Sequence, residues 1–531
     1  MTLRRLLLGA ENRGDREMSK KVDYKLMTVT LILLISIVLP IALSPNKTSE
    51  IINAFFGVMT KDFAWAFLLV GFGSAIFAIF MMFSKYGSIR LGGEDAKPHY
   101  SKFTWVSMII TSSLAAGILI FGMVEWMYYV NGTPYGLKPK SIEAYEVASA
   151  YGMFHWGFSA SAFYLPASLA IGYMYWNRKV GSMSITAVCS EVLPKSKNKN
   201  SILKLIIDGF VPFCFLGGML TTVGLGTSVI GELVGDLLNL ENTIYLRIAV
   251  IIMFCLFFIT ATSKSISKGM AKISNFNIYL ALGFFIFVFI VGPKTFMLNN
   301  FVMAIGYNIT NFVKMSFYTD AVAQTGFIQN WTIFYWAWYL GLSIPVGLWV
   351  ARVSYGRTFK EIAIAVTIFL PLACWITFGT LGNYGMGLEV NNIAKFSDIA
   401  ATAGNSAATL AVLKTMPIST IVIIVFIVLV FFNLATSATS VATSVAILTS
   451  KNLRDDEEPN KWFKVIWGCI FMVLPVAILY LEHVVDGLNI LGILQSFTTV
   501  FGVPMFIVNI LLIWSAVKAI KADLQKKKLK I

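Results

Sequence analysis

The sequence predicts an all-α membrane protein with twelve transmembrane helices, and three observations carry this. Of 531 residues, 57% are hydrophobic and only 13% charged, far from the balance of a soluble domain. Twelve apolar runs recur along the chain, each long enough for a helix that crosses a hydrocarbon core in roughly 20 residues. The runs lack strand-type alternation, so each must satisfy its backbone polar groups within itself, as a helix does.

In chain order the runs cover residues 26–44, 63–83, 104–130, 147–176, 206–232, 243–263, 275–293, 332–351, 361–384, 418–450, 465–481 and 487–517. The longer ones must tilt, kink or overhang. Residues 1–25 form a basic tail whose apolar patch, Leu6 to Leu8, is too brief for a signal-peptide core; Met18 is an alternative start. Residues 26–517 form one transmembrane domain, and residues 518–531 a short basic tail. Two connecting segments, 294–318 and 388–415, are partly amphipathic and are expected either as helices along the membrane surface or as ordered external loops. The five cysteines lie scattered without CxxC spacing and read as small core residues.

Orientation follows from Lys and Arg, which resist translocation and collect on the cytoplasmic side. With both termini inside, the inner segments hold 33 of the 42 basic residues. The chain is therefore expected in the cell membrane with both ends cytoplasmic. Its net charge of +15 is a topology signal, not a nucleic-acid-binding surface.

An enzyme buried in the membrane needs a nucleophile, a metal or paired acid–base groups. The supply is thin: His99, His155 and His483 are the three histidines, and no HExxH, GxSxG or intramembrane carboxylate pair occurs. Aromatic residues are abundant instead. Asn330-Trp331-Thr332-Ile333-Phe334-Tyr335-Trp336-Ala337-Trp338-Tyr339 opens the eighth span. Trp331 falls where an interfacial belt is expected, whereas Trp338 lies two turns, about 10 Å, deeper.

A trimethylammonium group carries a full charge but no N–H, so hydrogen-bond acceptors cannot hold it. The negative faces of aromatic rings can, at up to about 2 kcal/mol or more each when desolvated. Deep rings available for such a box are Trp338 and Tyr339, Trp156 and Tyr164 on the fourth span, and Tyr128 on the third. Glu125 is the one acid well inside an apolar run, either a functional group or an interfacial carboxylate. His155, beside Trp156, reads as a hydrogen-bonded structural histidine. Small residues interrupt the third span at Ser112 to Gly117 and the tenth at Ala435 to Ser440; inverted-repeat transporters bind solute and ion at such places, and close helix packing produces the same pattern.

The aromatic run continues into Ala351-Arg352-Val353-Ser354-Tyr355-Gly356-Arg357-Thr358. Together with Phe154-His155-Trp156-Gly157, Thr222-Val223-Gly224-Leu225-Gly226, Ser267-Lys268-Gly269, Ile273-Ser274-Asn275 and Phe317-Tyr318-Thr319-Asp320 it resembles the betaine/choline/carnitine transporters over most of residues 25–518. That resemblance implies a leucine-transporter-like core of two five-helix inverted repeats, about 104–293 and 332–517, preceded by two N-terminal helices. It also implies a homotrimer and a substrate box of Trp156, Tyr164, Trp338 and Tyr339, with Tyr128 matching a solute-facing tyrosine of the carnitine branch. Ser161 and Leu342 depart from the aromatic residues usual at their positions, and the third span keeps only Gly117 of a Gly-x-Gly-x-Gly run.

By the same resemblance Thr436 and Ser437 fall where sodium-coupled members hold Na⁺, and hydroxyl oxygens suit a hard cation. In sodium-independent exchangers an arginine replaces the ion; Ala271 stands there, with Lys272 beside it. The expected function is alternating-access transport of a quaternary-ammonium solute such as glycine betaine, choline or carnitine, driven by Na⁺, with no other cofactor. The alternative is sodium-independent exchange of the carnitine/γ-butyrobetaine type. The short tail after Lys518 points away from a dedicated osmosensor.

Overall fold

The computed structural model describes residues 22–114, 117–193, 202–262, 266–450, 459–485 and 490–528. Among them no strand forms, and β-structure is limited to single bridges between Val22 and Ser450 and between Arg90 and Thr358. The helices are α1 (Tyr24–Leu43), α2 (Pro45–Gly57), α3 (Ala64–Phe83), α4 (Lys102–Leu114), α5 (Gly117–Asn131), α6 (Ile142–His155), α7 (Phe158–Ala162) and α8 (Leu165–Gly172). There follow α9 (Ile202–Leu238), α10 (Ile244–Thr262), α11 (Ile266–Val291), α12 (Lys294–Phe317), α13 (Ile328–Val353), α14 (Phe359–Val390), α15 (Phe396–Lys414), α16 (Ser419–Leu448), α17 (Lys461–Val484) and α18 (Ile490–Lys528).

Eight helices among the described residues are long and apolar enough to cross a membrane: α1, α3, most of α11, then α13, α14, α16, α17 and most of α18. The other four expected spans fall on helices that are interrupted or only partly described. Span three is α4 and α5, on either side of residues 115–116, which lie outside the description. Span four is broken into α6, α7, α8 and a π-helical turn at Tyr173–Asn177. Its first break falls at Trp156–Gly157, where Gly157 has an extended backbone and a Cβ would sit 2.6 Å from the Met153 carbonyl oxygen. Both amphipathic segments are helical: α12 runs unbroken, while α15 bends at Gly404, whose φ of 80° suits glycine. The last helix continues to Lys528, past the expected end at 517, because Lys, Gln, Leu and Ala are good helix formers outside the membrane as well as in it.

The centre of the molecule is α13. Every residue from Trp331 to Ala351 is buried, the pattern of a helix enclosed by protein on all sides. It packs along α18 and α8. The contact with α18 is close: a Cβ on Gly502 would sit 2.3 Å from the Ala337 carbonyl oxygen, and Asn509 Nδ2 donates to Ser343 Oγ at 2.7 Å. By contrast, α1 exposes Ile32, Ile35, Leu39 and Leu43, as a lipid-facing helix does.

Candidate functional site

The rings expected to form a box meet. Trp156 and Trp338 stand edge to face with centroids 5.7 Å apart, Trp156 lies 6.1 Å from Tyr339, and Tyr339 lies 5.3 Å from Tyr164. All four are buried. Two elements bring them together. The break after α6 turns Trp156 toward the centre, and α13 presents Tyr335, Trp338 and Tyr339 at helical spacing. Gly117, the retained glycine of the third span, opens α5 against them: a Cβ there would be 2.8 Å from Trp338 Cη2 and 3.5 Å from Trp156 Cη2. Any side chain at this position would displace an indole.

Two rings not singled out from the sequence complete the cluster. Phe121 lies 6.2 Å from Trp156, 5.9 Å from Tyr335 and 6.1 Å from Trp338. Tyr335 lies 5.5 Å from Trp156 and 6.0 Å from Trp338. The signal for Tyr335 was present, since Trp331, Tyr335 and Trp338 recur at intervals of four and three and must share one helix face. Phe121 carried none, because its partners come from other segments.

Glu125 is not interfacial. It is fully buried, and its two oxygens are shared by three donors: the Tyr129 hydroxyl on Oε1, and on Oε2 the Trp156 indole N–H at 2.8 Å and the Tyr335 hydroxyl at 2.5 Å. Such a count satisfies a carboxylate in a dry place. His155 extends the network, with Nδ1 2.7 Å from the Tyr129 hydroxyl and Nε2 2.8 Å from Thr332 Oγ1; a hydrogen-bonded histidine was expected here. The carboxylate therefore fixes two rings of the cluster, Trp156 and Tyr335, through their polar edges.

Tyr128 and Trp331 form the next layer, joined to the cluster where Trp331 stands 6.3 Å from Phe121 and 6.4 Å from Tyr335. Their centroids are 5.5 Å apart, Trp331 also packs 4.9 Å from Tyr129, and the Tyr128 hydroxyl donates to Asn405 Oδ1 on α15. Trp331 is buried rather than set in an interfacial belt, because Phe121, Tyr128 and Tyr129 of α5 pack around it. Tyr128 reaches α15 and stands two rings removed from Trp338, through Trp331 and Tyr335.

Where sodium was expected, Thr436 Oγ1 lies 3.2 Å from the Thr111 carbonyl oxygen of α4 and 3.0 Å from the Phe432 and Asn433 carbonyl oxygens of its own helix. Thr111 Oγ1 in turn donates to Ser107 O and lies 2.9 Å from Ser274 Oγ on α11. The hydroxyls of Ser437 and Ser113 are buried and have no hydrogen-bond partner among the described residues. Unspent oxygens beside a carbonyl are what a hard cation takes. Lys272 is exposed, while Ala271 lies outside the described side chains.

Known proteins resemble this chain over nearly its whole length. A carnitine transporter of Acinetobacter baumannii is 28% identical over 513 residues, which cover 96% of this chain and 92% of that protein. The family model of the betaine/carnitine/choline transporters matches residues 25–525. With its long apolar helices and its near-complete match, the chain belongs to the betaine/carnitine/choline transporter family and is a multi-pass membrane transporter, not an enzyme.

Proposed function

We propose that the chain moves a trimethylammonium solute of the carnitine or betaine kind across the cell membrane by alternating access, drawn by a sodium gradient. The observation that carries this is the contiguous set Tyr164, Tyr339, Trp156 and Trp338, with neighbours 5.3 to 6.1 Å apart. Ring faces offer a methylated cation attraction without asking it for a proton. Sodium is supported by the unpartnered hydroxyl of Ser437 beside Thr436 and the Thr111 carbonyl. These residues would hold the ion, whose binding would tie α4 to α16. Twelve crossings, two inverted repeats, cytoplasmic termini and a trimeric assembly belong to the same proposal.

Sodium-independent exchange of the carnitine/γ-butyrobetaine type is the second reading, and the carnitine transporter among the relatives is similar in solute alone. The exposure of Lys272 speaks against it, since no described cation stands in for the ion. Uptake of glycine betaine, choline, carnitine and γ-butyrobetaine into proteoliposomes, with and without sodium, separates the readings. Trp338→Leu is expected to abolish saturable uptake with unchanged protein yield; parent-like kinetics in that variant would remove the ring cluster from solute binding.

A further inference from the structure

The rings of the box differ at their polar rims. Trp156 donates its N–H to Glu125 at 2.8 Å. Tyr339 is buried as deeply, yet its phenol hydroxyl has no hydrogen-bond partner among the described residues. Ser161, on α7, is buried with its hydroxyl in the same state. Three residues further on, Tyr164 brings its ring to 5.3 Å from Tyr339, and α7 packs against α13, so both hydroxyls belong to the elements that build the box. A buried hydroxyl without a partner is costly, and one in a folded protein calls for an explanation.

A trimethylammonium head cannot supply the partner, because its methyl groups neither donate nor accept. The partner must nevertheless sit close to the cation on the solute. A ring that faces an ammonium holds it within about 6 Å of the ring centroid, and the Tyr339 hydroxyl is fixed to the rim of that ring. A carboxylate so near the ammonium fits poorly. The buried charge bonded to this cluster is already an anion, Glu125. The buried Lys and Arg side chains among the described residues are Arg357, engaged by Glu361 and the Trp105 ring, and Lys464, in the first turn of α17; neither is on an element that forms the box. A hydroxyl brings no charge and both donates and accepts.

We infer that the box selects a trimethylammonium solute with a hydroxyl on the second carbon from nitrogen, and that Tyr339 and Ser161 take that hydroxyl. Choline and carnitine carry the group; glycine betaine and γ-butyrobetaine lack it. The inference rests on the transport reading above and narrows its solute class. γ-Butyrobetaine is carnitine without the hydroxyl, so the two share their charges and their chain length. A site built to hydrogen-bond a solute hydroxyl rejects the analogue that lacks it, because its own buried polar groups then stay unpaired.

The test is calorimetric titration of the full-length protein in detergent, in sodium buffer, with carnitine, γ-butyrobetaine, choline and glycine betaine. Carnitine is expected to bind about tenfold more tightly than γ-butyrobetaine, the scale of one buried hydrogen bond made or left unmade, and choline more tightly than glycine betaine. Tyr339→Phe brings the carnitine to γ-butyrobetaine ratio close to unity, and Ser161→Ala, which keeps every ring, lowers it as well. Loss of packing alone would weaken both solutes together and leave the ratio in place. Equal affinity of the parent for carnitine and γ-butyrobetaine, a ratio unmoved by the two substitutions, or tighter binding of glycine betaine than of choline would each overturn the inference and leave the transport reading intact. Binding of none of the four would overturn both.

Discussion

The surroundings of Glu125 and those of Ser437 are both buried in protein, yet they treat polar atoms in opposite ways. Around Glu125 the donors and acceptors close on one another: Tyr129, Trp156 and Tyr335 all donate to one carboxylate. Around Ser437 they do not, and hydroxyls on α4 and α16 are left without partners. A closed network fixes geometry and has nothing to offer a ligand except ring faces. An open one holds its oxygens in reserve for something that arrives. Under the function proposed above, the difference gives rigidity to the solute end and leaves oxygens for an ion at the other.

Breaking the closed network has the largest expected effect. Glu125→Leu strands three buried donors, each worth about 1–3 kcal/mol when unpaired. Thermal unfolding in detergent is expected to show a loss of about 3 kcal/mol or more, and parent-like stability would mean that the carboxylate does not bind the rings together. The open corner is probed by function instead. Thr436→Ala combined with Ser437→Ala is expected to raise the sodium concentration for half-maximal uptake roughly tenfold, the equivalent of about 1.4 kcal/mol; sodium-independent uptake in the parent would dissolve the contrast. The smallest effect is the sharpest check. Ser437→Ala alone removes a hydroxyl that has no bond to lose, so stability in sodium-free buffer is expected to stay within about 0.5 kcal/mol of the parent. A larger loss would show that the hydroxyl has a structural partner.

Much of this was legible in the sequence because the relevant signals are local. Apolar length marks a helix, and among the described residues eight of the expected spans fall on helices long and apolar enough to cross a membrane. The aromatic run at 330–339 puts Trp338 and Tyr339 deep, and the motif around Trp156 and Tyr164 supplies their counterparts. The surroundings of Glu125 were not legible, since Tyr335 and Trp156 reach it from segments far away in the chain. A lone acid in an apolar run does not say whether its partners are water or indoles. Trp331 misled for a related reason: spacing gives depth along a helix but not what covers its end, and rings of α5 cover it here. The breaks in span four were hidden as well, because Gly157 interrupts a run whose hydropathy continues unchanged.

That α13 touches protein on every side limits how the molecule can shift. A helix at the periphery can slide against fluid acyl chains at little cost. One sheathed along its length by close-packed neighbours cannot, because each displacement opens voids on one flank and clashes on the other. Where α18 meets it, the Ala337 carbonyl rests against Gly502 with no room for even a methyl group between them. Under the alternating access proposed above, α8, α13 and α18 are therefore expected to travel as one block, with the slip surfaces somewhere else.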